Sequence, residues 1–99
     1  MEKITNEDLE KVTGGRAEIG NYRTVGNVTA EMGYLAIRTE PAARYENEIQ
    51  SCKLQNGDRV QITGGYVNGT GFGDSPALYV WVYAPKAGVS GYVNAAYLR

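Results

Sequence analysis

The chain has ninety-nine residues, ten basic against eleven acidic side chains and a net charge of −1, which fits one small domain. The near balance, with Lys and Arg scattered along the chain, argues against a nucleic-acid surface, and the longest apolar run, residues 77–85, is too short to span a bilayer. There is no histidine and one cysteine, Cys52, which rules out Ser-His-Asp and Cys-His catalysis, His-based and zinc sites, and an internal disulfide.

The first fifteen residues carry a helical pattern. At about 100° per residue, Leu9 lies about 140° and Val12 about 80° from Ile4, so the three share a face. Thr5 is placed to cap the helix N-terminus, with Asp8 three residues on, and Gly14 fits a left-handed C-cap before Gly15. So short a helix is marginal in water and needs a groove for its apolar face. Glycines beyond it could thread a narrow protease cleft. This pattern resembles the double-glycine leader of small exported bacterial peptides such as bacteriocins. In that family apolar residues stand where Val12, Leu9 and Ile4 stand here, three, six and eleven residues before Gly15, with an acid such as Asp8 before the middle one. The resemblance implies cleavage after Gly15 by a peptidase-containing ABC transporter, export of residues 16–99 and a cytoplasmic precursor. The stretch lacks the apolar core of a signal peptide, so a leader would be the route out. The other reading is an N-terminal helix with a glycine C-cap that belongs to the fold; spacing, acid and terminal glycines together favour the leader. A leader helix within residues 6–13 would make few contacts with its own domain.

After Gly15 the helical period gives way to Val, Ile, Thr and Tyr segments punctuated by Gly, Asn, Asp and Pro, the pattern of short strands joined by tight turns. Residues 16–25 read as a linker and 26–99 as the folded domain. Strands are expected at 27–30, 34–38, 49–54, 59–63, 79–83 and 91–94. Loops or turns are expected at 39–46, at Asn56-Gly57-Asp58 and at 86–90, with a closing 3₁₀ turn at 95–98. Such spacing favours an all-β fold, a small SH3-like barrel of five to six short strands with a short N-terminal helical leader, since closure removes exposed edges. Strand alternation assigns Val28, Leu35, Ile37, Leu54, Val60, Ile62, Val80, Val82, Val93 and Leu98 to the interior. Cys52, on the face of Leu54, reads as a buried structural thiol. The glycine-rich stretch 64–75 has neither the following helix nor the lysine of a phosphate cradle and reads as a flexible or ligand-facing loop.

Several motifs, in order, resemble the bacterial SH3 (SH3b) family. Leu35, Arg38, Pro41 and Tyr45 match an L-N-V-R-S-G-P segment with a following Tyr, while Ala36 and Glu40 depart from it. Leu54-Gln55-Asn56-Gly57-Asp58-Arg59-Val60 matches the L-x-x-G-x-x-V hairpin, and Gly91-Tyr92-Val93 with Tyr97-Leu98 matches the closing G-W-V and Y-L, Tyr92 replacing Trp. Trp81 is displaced by two positions from the family's W-x-x-V strand. The resemblance implies a groove that binds bacterial cell wall, often its peptide crossbridges, formed here by Arg38, Tyr45, Tyr79, Trp81 and Tyr92, with Arg38 meeting a ligand carboxylate.

Eight Tyr and one Trp stand beside a single Phe, so nearly every ring carries a polar handle suited to a partly wet binding surface. Glu46 and Glu48 could imitate an acid–base pair, but two solvated carboxylates at a strand entrance is the commoner situation. No enzyme, metal or cofactor is read from the chain. The expected function is a secreted, non-catalytic SH3 binding module for peptidoglycan or another envelope component. The alternatives are a bacteriocin-like effector or signal that binds a protein, and an intracellular protein-interaction module.

Overall fold

The computed structural model describes residues 19–99. The leader residues Ile4, Asp8, Leu9, Val12, Gly14 and Gly15, with the expected helix, lie outside them. The described chain is all-β. Its strands are β1 (Tyr22–Thr24), β2 (Leu35–Arg38), β3 (Glu48–Leu54), β4 (Arg59–Thr70), β5 (Pro76–Ala84) and β6 (Val89–Asn94), with 3₁₀ turns at Tyr45–Asn47, Phe72–Asp74 and Ala95–Tyr97. All pairings are antiparallel, in the order β1-β4-β5-β6-β2-β3, and the sheet curls into a small SH3-like half-barrel.

The outer strands β1 and β3 do not pair with each other. The end of β1 and the residues after it are tied instead to the C-terminal residues and the β3–β4 turn: Arg99 donates its backbone N–H to Thr24, Gly26 to Tyr97 and Val25 to Asp58, at 2.8 Å each. Asn56 adds a side-chain clamp, accepting from the Val28 N–H at 2.9 Å and donating to its carbonyl at 3.0 Å.

Alternation places one side of each strand inside. Leu35 and Ile37 of β2, Cys52 and Leu54 of β3, Val60 and Ile62 of β4, Val80, Val82 and Ala84 of β5, and Val93 of β6 form the core with Val25. Val28 and Leu98, expected in this interior, pack on it while only partly buried. Cys52 is buried, and loss of water pushes its thiol pKa up.

Three expectations are corrected. Residues 27–30 form no strand: Asn27 takes a left-handed φ of 66°, and Thr29 ties a turn by accepting from the Gly33 and Met32 N–H groups. The segment read as linker holds β1, whose Tyr22 pairs with Gln61 and Thr24 with Arg59. The glycine-rich loop is largely strand, because β4 runs on to Thr70. Glycine is uncommon within strands but is demanded where another chain segment comes too near for a side chain. A Cβ on Gly64 would stand 2.7 Å from that of Trp81, and one on Gly69 would collide with the Pro41 carbonyl. The register also slips between Ile62 and Tyr66, a bulge that bends the β4–β5 hairpin.

The tip of the hairpin meets the 41–43 loop: Thr70 donates its N–H to Pro41 at 3.1 Å and accepts from Ala43 at 2.9 Å. Phe72 is thereby carried over β2.

Candidate functional site

Strand β2 is buried on both faces. Leu35 and Ile37 enter the core, whereas Ala36 and Arg38 form the floor of a pocket of about 270 Å³ on the other face. Its walls come from Glu31, Met32 and Tyr34 before β2, Glu48 at the start of β3, Phe72 on the hairpin tip, Tyr79 of β5, Asn94 at the end of β6 and Tyr97 of the closing 3₁₀ turn.

Arg38 is 5 % exposed. Its Nη1 donates to the Arg44 carbonyl at 2.8 Å and to Asn47 Oδ1 at 3.1 Å, and its Nη2 faces Glu48 Oε2 at 3.7 Å. The guanidinium thus has internal partners before any ligand arrives. Buried Asn47 acts as the pin of this region, because its Nδ2 also donates to the Ala42 carbonyl at 2.9 Å while its own carbonyl accepts from Thr39 at 2.8 Å. The 39–47 loop, which carries Ala43 into the pocket wall, is held by these bonds.

Glu48 and Glu46 do not form a solvated pair on one strand face. Glu46 lies exposed in the 3₁₀ turn, while Glu48 opens β3 with its side chain 12 % exposed. The Tyr34 hydroxyl donates to Glu48 Oε1 at 2.6 Å, and that bond to an anion holds the phenol pKa above its usual value. Tyr79 is raised as well, chiefly by burial; its hydroxyl donates to the Thr70 carbonyl at 2.8 Å. The two phenols accordingly remain protonated donors through the neutral range.

Of the residues assigned to the groove from the sequence, the structure brings Arg38 and Tyr79 into one pocket. Tyr45 is 75 % exposed and outside the lining. Trp81 and Tyr92 are cross-strand neighbours, and Tyr92 is also opposite Arg38, so the three lie in one row on the same sheet face. The indole and phenol pack edge to face, centroids 4.9 Å apart and planes at 81°, beside the pocket rather than in it.

The chain matches no family model, no curated protein and no solved structure in the three comparisons made.

Sequence reasoning missed Tyr34, Glu48, Phe72, Asn94 and Tyr97 as pocket residues. Phe72 carried a legible signal. It is the chain's one phenylalanine, set between glycines where no core pattern claims it, and it stands 70 % exposed. Tyr34 and Tyr97 carried none, since their place depends on the 30–34 turn and the chain end meeting over β2.

The floor and walls combine rings, two carboxylates, a guanidinium and the Asn94 amide, whose oxygen accepts the Ala96 N–H and leaves its NH₂ as a donor. Such a set can hold a small polar group against aromatic surface. Among the described residues no group of acidic or thiol side chains is arranged to hold a metal ion.

Proposed function

We propose that this chain is a non-catalytic SH3-like binding module whose ligand enters the pocket over β2, and that the ligand is bacterial peptidoglycan or another envelope component. The observation that carries the binding assignment is the pocket itself. Tyr34, Phe72, Tyr79 and Tyr97 surround hydrogen-bonding groups that the fold positions, and Phe72 stands open to water at the mouth. An open ring at the edge of a concave site lined by rings and a few placed polar groups is the arrangement of a ligand pocket. The envelope as the source of ligand rests on the likeness of the Leu35–Tyr45, Leu54–Val60 and Gly91–Leu98 segments to bacterial SH3 motifs. Export by a peptidase-containing ABC transporter, with cleavage after Gly15, belongs to the same proposal and rests on the spacing of Ile4, Leu9 and Val12 before the glycine pair.

The test is sedimentation of the protein with purified bacterial cell walls. Wild type is expected to pellet with the walls, and Phe72→Ala to remain in the supernatant while keeping its fold by circular dichroism. Failure of the wild type to pellet with walls from any of a diverse set of bacteria would end the envelope assignment. Intact mass of the protein recovered from culture medium tests export: a chain beginning at Arg16 is expected, and full-length chain confined to the cytosol would exclude it.

A further inference from the structure

The charged side chains that line the pocket do not balance, although Lys53, outside the lining, stands against the Tyr34 ring. Two carboxylates, Glu31 and Glu48, line it against one guanidinium, Arg38, and that guanidinium is engaged from inside by Arg44, Asn47 and Glu48. An anionic ligand would meet a cation already partnered and two like charges. A cation would meet two carboxylates, Glu31 at the exposed rim and Glu48, which shares its charge with Arg38 at 3.7 Å. Glu48 takes the Tyr34 hydroxyl on Oε1, whereas its Oε2 is 3.7 Å from Arg38, beyond hydrogen-bond length.

The rings point the same way. The fold already sets cations against two of them: Arg38 stands 6.0 Å from the Phe72 centroid, and Lys53 Nζ is 5.4 Å from that of Tyr34. The faces of these rings are electron-rich and attract positive charge, more strongly where water is displaced. Tyr79 and Tyr97 complete the aromatic wall. Rings together with a half-satisfied carboxylate are the chemistry that recognises an alkylammonium group.

We infer that the pocket over β2 selects ligands that present a primary ammonium, such as a lysine-type side chain or a free peptide amino terminus, seated among Tyr34, Phe72 and Tyr97 against Glu48 with Glu31 at the rim. The inference rests on the reading of this pocket as the ligand site and names the group it reads.

The experiment uses the full chain and three probes of similar size in NMR titrations: Nα-acetyl-lysine methylamide, the same molecule acetylated at Nε, and Nα-acetyl-glutamate methylamide. The ammonium probe is expected to shift the signals of Tyr34, Phe72 and Tyr97 saturably. Acetylation at Nε is expected to weaken binding at least about tenfold, the loss of one charge-assisted hydrogen bond. Glu31→Gln, at an exposed site, is expected to weaken the ammonium probe about threefold, as for a surface ion pair. Glu48→Gln, checked for its fold by circular dichroism, is expected to weaken it about tenfold. Equal binding of the acetylated probe, tighter binding of the glutamate probe, or no binding by the ammonium probe each overturns the inference. Wall sedimentation separates the two claims. Wild-type pelleting with an inert ammonium probe removes ammonium selection and leaves the envelope reading standing; a bound ammonium probe without pelleting does the opposite.

Discussion

Asn47 shows how much of the site depends on one side chain. It is buried at 6 % exposure, accepts from Arg38 and donates to Ala42, so its amide serves both the pocket floor and the loop above it. Asn47→Ala takes from the part-buried Ala42 carbonyl one of its two donors, leaving it the Arg44 N–H at 3.0 Å, and leaves part of a buried guanidinium without a partner; it is expected to cost about 1–3 kcal/mol in denaturant unfolding. Phe72→Ala is the contrasting case. The ring is mostly in water, so stability should move by no more than about 0.5 kcal/mol while wall binding is lost. Equal loss of stability in both variants would mean that Phe72 is a structural residue rather than a contact. Arg38 was singled out by its motif and does line the pocket, but its partner was not foreseen. The sequence suggested a ligand carboxylate; the fold supplies Glu48, ten residues on, by pairing it directly across from Arg38.

At the scale of elements, the β4–β5 hairpin decides the shape of the pocket over β2. Its glycines invite the reading of a loop, because isolated stretches such as Gly64-Gly65 have poor strand propensity. They stay in the sheet because Trp81 and the Pro41 loop approach too closely for larger residues, a relation between segments far apart in sequence. Gly64→Val therefore has no room beside Trp81 and is expected to cost about 1–3 kcal/mol, with lost protection of β4 and β5 amides in hydrogen exchange. Unchanged exchange there would refute the close-packing account. The other strands were easier to see. Strand β3 starts at Glu48, one residue before its expected start, β5 and β6 run further beyond theirs, and the Asn56-Gly57 turn lies where its residues suggest. The short β1 escaped notice since three residues bear almost no period, and its strand character comes from pairing with β4.

For the molecule as a whole, stability should hold a plateau between acid and alkaline limbs. Asp58 sits at the meeting of two hairpins. Burial alone would raise its pKa, but the hydrogen bonds from Lys86 at 2.8 Å and the Gln55 N–H at 2.7 Å outweigh this and leave it below the ordinary 3.8. A lowered carboxylate stabilises the fold above its unfolded value, and the contribution disappears as pH falls through the folded one. Tyr79, Cys52 and Tyr34 are shifted the other way. Their contribution is complete below the ordinary values of 10.0 for the phenols and 9.0 for the thiol, and is lost as pH rises through the raised ones. Denaturation midpoints are expected to stay level from about pH 5 to 8 and fall on both sides. Asp58→Asn should flatten the acid limb and, because burial rather than the Asp58 charge is the main cause of the raised Cys52 thiol, change the alkaline one much less; an unaltered acid limb would show that Asp58 is not its source.

The sequence by itself determined the all-β class, the interior of β2 to β6 and the absence of histidine chemistry. These follow from residue type and a period of two, which neighbouring residues express without help from the rest of the chain. Only the tertiary structure decided which rings meet. Trp81 and Tyr92 share a row with Arg38, yet the pocket closes around Tyr34, Phe72, Tyr79 and Tyr97, because the bulge in β4 bends one hairpin over β2 and the chain end crosses to pair with residues 24–26. Alternation tells which face a side chain takes. Which distant segment covers that face depends on curvature and closure, and those arise only when the whole sheet forms.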